Sequence, residues 1–194
     1  MKQIKIAFDL DGTLIHLMPV FERIIWEKYK AKVPSIRSFK IFTEPELPYE
    51  TIKDCFSEAF KCVDEIEIVP GVRKLFRKLF ELSDERDKIK IVTARPLDSA
   101  NDTYALCKRI CKDVEWEVVI VEDSDNKKKH LNNYLHFVDD RRKTALDLVH
   151  HGKIVWMPIK PYNQPLPDNY PEGLIQINSL EDLIPWANIF IHSI

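Results

Sequence analysis

Several short apolar runs in this chain stop abruptly at acidic or hydroxyl residues, and that pattern narrows the possible folds more than any other feature. The run Lys2–Phe8 is rich in β-forming residues and leads into Asp9-Leu10-Asp11-Gly12-Thr13; Ile89–Val92 leads into Thr93-Ala94-Arg95-Pro96; Leu135–Val138 leads into Asp139-Asp140-Arg141. Short runs of this kind, bounded by polar turn formers, read as strands buried on both faces. The segments between them carry helical periodicity. Val20, Ile24, Ile25 and Trp26 predict a helix from Pro19 to about Lys32, and Ile52, Cys55, Phe56, Ala59 and Phe60 predict another over Thr51–Val63. A third opens at Pro70-Gly71 with an apolar face of Val72, Leu75, Phe76, Leu79 and Phe80. Helices are also expected over Ser99–Cys111, Lys127–Asn132, Lys143–His150 and Ser179–Trp186, the last with Ser179 as N-cap, and strands over Trp116–Val121 and Lys153–Met157. Strands alternating with helices at this spacing argue for an α/β fold with a parallel sheet covered on both faces. Residues 33–48 and the proline-rich stretch Pro158–Gly173 read as irregular, the latter as a long surface loop.

In an open parallel sheet the ligand crevice lies beyond the carboxyl ends of the strands, where these polar clusters fall. Asp9 and Asp11 are two residues apart as the chain leaves a strand, so both carboxylates can face one site, and Gly12 permits a tight turn. A single aspartate after a strand usually serves as a turn former. Here Asp9, Asp11, Asp139, Asp140 and the Thr93 hydroxyl converge from three strand ends. Like charges gathered so closely repel, and a hard divalent cation resolves the repulsion. Magnesium suits the oxygen-only donor set.

Asp9-Leu10-Asp11-Gly12-Thr13, Thr93, a lysine upstream of Asp139, and Asp139-Asp140 resemble, in order, the motifs of the haloacid dehalogenase-like (HAD) phosphatases, over Lys2 to about Trp156. The resemblance implies a Rossmann-like parallel sheet flanked by helices, with a small helical cap inserted after the first strand. The core would comprise residues 1–18 and 67–194 and the cap residues 19–66. It further implies that Asp9 attacks phosphorus to form an aspartyl-phosphate, while Asp11 acts as general acid and then base. Magnesium would be held by Asp9, the Asp11 backbone carbonyl and a carboxylate of the Asp139-Asp140 pair. Thr93 and the lysine would hold the phosphoryl oxygens. Lys127, Lys128 and Lys129 compete for that lysine role, and the spacing expected in the nucleotidase-like branch favours Lys129.

Val138-Asp139-Asp140-Arg141 and the small cap resemble the 5′-nucleotidase and 5′(3′)-deoxyribonucleotidase branch, which implies a nucleoside monophosphate as substrate. Thr93-Ala94-Arg95 departs from the Thr-Ser-Pro of some deoxyribonucleotidases, which argues against a strict deoxypyrimidine preference. Within this reading Phe21 and Phe42 are candidates to stack on the base. Arg95 and Arg141 are candidates to bind phosphate or ribose, with a salt bridge as the alternative. A polynucleotide 3′-phosphatase shares the same motifs and is the enzymatic rival. A non-catalytic binding module of HAD fold is the alternative from another class.

A net charge of -2 and a pI near 6.3 offer no broad basic field for long nucleic acid. No apolar run reaches the roughly 20 residues that span a bilayer, and the N-terminal apolar stretch is too short for a signal peptide. Cys55, Cys62, Cys107 and Cys111 form no CxxC pair and read as reduced thiols, so a cytoplasmic protein is expected, and the resemblance implies a small phosphorylated substrate.

Overall fold

The computed structural model describes residues 2–33, 47–84, 87–166 and 169–193. Phe42 lies outside the described residues. In chain order the elements are β1 (Lys2–Ile4), β2 (Ile6–Phe8), β3 (Ile15–His16), α1 (Met18–Tyr29), α2 (Tyr49–Lys61) and β4 (Glu67–Ile68). They continue with α3 (Val72–Leu82), β5 (Ile89–Thr93), α4 (Ala100–Ile110), β6 (Trp116–Ile120), β7 (His136–Val138) and α5 (Arg142–His150). The last are β8 (Ile154–Pro158), β9 (Leu174–Ile177) and β10 (Ile191–Ser193).

Six strands form one sheet in the order β6-β5-β2-β7-β8-β9, every neighbouring pair parallel. The two-residue period of a strand sends alternate side chains to opposite faces. Ile6, Phe8, Ile91, Val138 and Trp156 join the core beneath α3, α4 and the segment Leu180–Phe190. Ala7, Val92, Phe137, Val155 and Met157 join the core beneath α5 on the other side. Both faces are therefore dry, which is why these strands read as unbroken apolar runs. The result is the Rossmann-type α/β architecture that the alternation of strands and helices predicts.

Three local expectations change. The run Lys2–Phe8 divides at Lys5, whose N–H donates to the Phe190 carbonyl (2.6 Å) and whose carbonyl accepts from the His136 N–H (3.0 Å). The chain there passes from β1, paired antiparallel with β10, into the main sheet. The stretch expected as a helix over Lys127–Asn132 is a 3₁₀ segment, Ser124–His130, opened by Asp123, whose side chain accepts from the Asp125 N–H at 3.1 Å. Its polar composition offers no apolar stripe to stabilise a full α-helix. The last expected helix is likewise a 3₁₀ run, Leu180–Phe190, with the Ser179–Asp182 capping box in place and Pro185 inside it. Proline cannot donate the hydrogen bond that a continuous helix needs there. β9, directly after the proline-rich stretch, is an edge strand that periodicity did not reveal.

α1 and α2 lie between β3 and β4, which pair antiparallel (Ile15 opposite Ile68, His16 opposite Glu67). Phe21 of α1 stacks on Phe56 of α2 with ring centroids 3.8 Å apart. Val20, Ile24 and Ile25 are buried as expected, whereas Trp26 faces solvent beneath the Lys30 ammonium. From α4, the Arg109 guanidinium donates to the carbonyls of Val63 and Ile66, fastening the chain that returns from α2.

Candidate active site

β2 lies between β5 and β7, so the three carboxyl ends stand side by side. The Asp9 N–H extends the ladder to the Val138 carbonyl at 2.8 Å, which brings Asp9 against Asp139 and Asp140. Carboxylate oxygens of these three residues lie within 4.8 Å of one another, and all three residues are buried. The Lys127 ammonium donates to Asp9 Oδ1 at 2.6 Å and to Asp139 Oδ2 at 2.8 Å.

The electrostatics follow from this crowding. Burial holds the Asp9 pKa well above the ordinary carboxylate value; Lys127 opposes that shift, and Asp139, Asp140 and Asp11 add to it. Asp140 is pushed up to about 6, first by burial and next by Asp139, against the hydrogen bond from Tyr162. Burial also works against the Lys127 ammonium, but Asp139 and Asp9 outweigh it and raise its pKa.

The two acids of the 139–140 pair are held differently. Asp139 accepts from Lys127 and, through Oδ1, from the Arg141 N–H at 2.8 Å. Asp140 receives neutral donors: Thr13 Oγ1 donates to Oδ1 at 3.1 Å, and the Tyr162 hydroxyl donates to Oδ2. Asn163 Nδ2 donates to the Asp140 carbonyl at 2.9 Å, so the turn after β8 closes on this residue. Gly12 makes the close approach possible. It has a φ of +80°, and a Cβ there would lie 2.2 Å from Asp140 Oδ2 and 2.9 Å from the Tyr162 hydroxyl.

A hollow of about 890 Å³ opens over these groups. Asp9, Asp11, Thr93, Arg95, Lys127, Asp140 and Arg141 line its inner part. Met18 and Pro19 of α1 and Tyr49, Phe56 and Phe60 of α2 also line it, as do Lys160 and Tyr162. Arg95 turns its guanidinium onto Asp11, and Arg141 donates through Nη1 to Ser124 Oγ at 2.8 Å.

Two of the expected site residues stand elsewhere. Lys129 is exposed and donates to Asn126 Oδ1 at 2.7 Å, and Lys127 occupies the place expected of it. In a 3₁₀ turn residues three apart share a face, so Lys127 follows the buried Ser124 inward and Lys129 turns away. Phe21 is fully buried between α1 and α2, and its partner Phe56, with Phe60, meets the hollow instead. Thr13 was visible in the motif without a role. Tyr162 was hidden in a stretch that read as loop.

The donor set fits a hard divalent cation. Around Asp9 the described side chains supply oxygen ligands with more negative charge than Lys127 and Arg95 offset. Among the described residues this is the one such cluster.

No protein-family model and no curated protein matches the sequence. Solved structures do match in fold. A protein assigned as a haloacid dehalogenase-like hydrolase from Burkholderia xenovorans superposes with a TM-score of 0.66 at 16% identity, covering 97% of this chain and 98% of that one. CbbY from Rhodobacter sphaeroides, solved with phosphate, gives 0.62 at 14% identity over 93% and 96%. A protein assigned as a phosphoglycolate phosphatase from Lactobacillus plantarum gives 0.60 at 15% identity over 95% and 99%. At such identities the likeness is one of fold, and the fold is that of HAD-superfamily hydrolases.

Proposed function

We propose that this chain, folded as the HAD-superfamily hydrolases are, is a phosphomonoesterase in which Asp9 is the nucleophile. The observation that carries the reading is the Lys127 ammonium set between Asp9 and Asp139, with Asp9, Asp11, Thr93 and Lys127 lining one hollow. Asp9 attacks phosphorus, the bond to the leaving oxygen breaks, and Asp11 gives that oxygen its proton. Water then attacks the aspartyl-phosphate, Asp11 takes the water's proton, and phosphate departs. Lys127 and Thr93 hold the phosphoryl oxygens and offset the charge that develops on them.

Magnesium would be held by Asp9 and Asp140. Asp139 has both oxygens engaged, by Lys127 and by the Arg141 N–H, whereas Lys127 bonds Asp9 through Oδ1 alone and Asp140 receives only the hydroxyls of Thr13 and Tyr162. A bound divalent cation supplies the charge neutralisation that lets an anionic carboxylate approach an anionic phosphate.

α1 and α2, which all but coincide with the start and body of the expected cap at residues 19–66, act as a cap whose wall selects the substrate. Aromatic and apolar groups at Tyr49, Phe56, Phe60 and Tyr162 favour a flat apolar moiety beside the phosphate, hence a nucleoside monophosphate. The fold neighbour assigned as a phosphoglycolate phosphatase favours a second reading, a small non-nucleotide phosphate ester. No helix among the described residues is long and apolar enough to cross a membrane.

The test is hydrolysis of nucleoside 5′- and 3′-monophosphates, phosphoglycolate, sugar phosphates and a 3′-phosphorylated oligonucleotide, with magnesium and then with EDTA. Magnesium-dependent turnover lost in a folded Asp9→Asn variant is expected, with nucleoside monophosphates preferred. Full activity in that variant would remove Asp9 as nucleophile. A clear preference for the oligonucleotide would make the protein a polynucleotide 3′-phosphatase, and no turnover on any ester would leave a binding module.

A further inference from the structure

Arg95 lies two residues beyond the end of β5 and is only 2% exposed, a burial that guanidinium groups rarely accept. One edge of the group grips Asp11: Nε donates to Oδ2 at 2.9 Å and to Oδ1 at 3.2 Å, and Nη2 donates to Oδ1 at 2.9 Å. One face stands 4.6 Å from the ring centroid of Phe60, which belongs to α2. The remaining nitrogen, Nη1, is buried and finds no hydrogen-bond partner among the described residues. Asp11 itself follows a strand and precedes the Gly12 turn, with 29% of its side chain exposed to the hollow. A carboxylate so placed has several rotamers open to it, while proton transfer requires one, within about 2.6–3.2 Å of the oxygen it serves.

We propose that Arg95 is a positioning residue for Asp11, fixing the carboxylate that exchanges the proton, and that Phe60 ties this arrangement to the α1–α2 pair. Arg95 then acts through Asp11 and not as a direct ligand of the phosphate. The planar fork is essential to the role: two parallel N–H groups set both oxygens of one carboxylate, which a single ammonium cannot do. The proposal rests on the phosphatase reading with Asp11 as acid and base.

Leaving-group dependence separates the two possible roles. 4-Nitrophenol departs with little need of a proton, whereas an aliphatic alcohol requires one. We expect Arg95→Lys and Arg95→Met to reduce kcat/KM for phenethyl phosphate by about 100-fold or more, the scale of general acid catalysis, and for 4-nitrophenyl phosphate by less than about 10-fold. The ratio of the two substrates is measured in one preparation, so the fraction of folded enzyme cancels. In an Asp11→Asn background, Arg95→Lys should change that ratio by less than about 3-fold. Phe60→Ala should shift it in the same direction as Arg95→Lys. Equal losses on both esters, accompanied by weaker inhibition by inorganic phosphate, would make Arg95 a phosphate ligand and overturn the proposal. A large further loss of selectivity on the Asp11→Asn background would overturn it too. A wild-type protein that hydrolyses neither ester refutes the phosphatase reading itself and takes this inference down with it, an outcome distinct from the other two.

Discussion

Lys127 sets a single ammonium between two buried carboxylates, so removing it leaves both charges uncompensated in a dry place. Lys127→Ala is expected to cost about 3–5 kcal/mol in urea unfolding of the metal-free protein and to lower kcat by about 100- to 1000-fold in magnesium. Lys129→Ala, at an exposed position, should stay within about 0.5 kcal/mol and leave turnover near wild type. The reverse pattern would return the role to Lys129. Gly12→Ala tests the close approach of the turn. It should abolish activity, since the new Cβ meets Asp140 at 2.2 Å in a left-handed backbone; an active variant would mean that the turn can move. Residue types at the site were legible because carboxylates and a hydroxyl close three separate apolar runs together, although any one of them alone would read as a turn former. Which lysine of three turns inward was not, because that depends on whether the segment winds with three residues per turn or with 3.6. Phe21 was misread for a related reason: an aromatic side chain in a helix reveals its face only once the partner helix is known.

The pair α1–α2 is held together by its own apolar face before it covers anything. Phe21→Ala, which removes the ring stacked on Phe56, should therefore destabilise the protein by about 3–5 kcal/mol while leaving the order of substrate preference unchanged. A changed preference with unchanged stability would place Phe21 at the substrate after all. Tyr49, at the start of α2, belongs to the wall of the hollow. Tyr49→Ala should raise KM for a nucleoside monophosphate by about 5-fold or more while sparing small esters that lack a ring, the size expected for losing one stacking partner. The strands were legible because burial on both faces leaves a continuous apolar run. The 3₁₀ segments were not: they are fixed by hydrogen bonds at their ends and by the elements beneath them, and neither leaves a period in the sequence.

At the scale of the whole molecule, Asp9 and Asp140 bind protons more tightly folded than unfolded. Protonation of Asp140 thus stabilises the metal-free fold below its ordinary value of 3.8, and that contribution is lost as pH rises through about 6. A divalent cation relieves the repulsion that remains above that range. Magnesium at about 100 times its Kd should raise Tm by roughly 5–10 °C at pH 7.5 and distinctly less at pH 5, where protons compete for the same oxygens. An equal shift at both pH values, or one retained in Asp140→Asn, would contradict the assignment of Asp140 as a ligand. The site also joins distant parts of the chain, since Asp9 meets Lys127 across 118 residues, Thr13 meets Asp140 across 127, and Asp11 meets Arg95 across 84. Pairings so remote require the chain to close its longest loops first. If the cation pocket is completed only after the rate-limiting barrier, a bound divalent cation would act on the finished protein alone. In stopped-flow experiments magnesium should then slow unfolding and leave the refolding rate untouched, so that the cation would set how long the folded protein lasts and not how quickly it forms; faster refolding in magnesium would place the pocket inside the barrier.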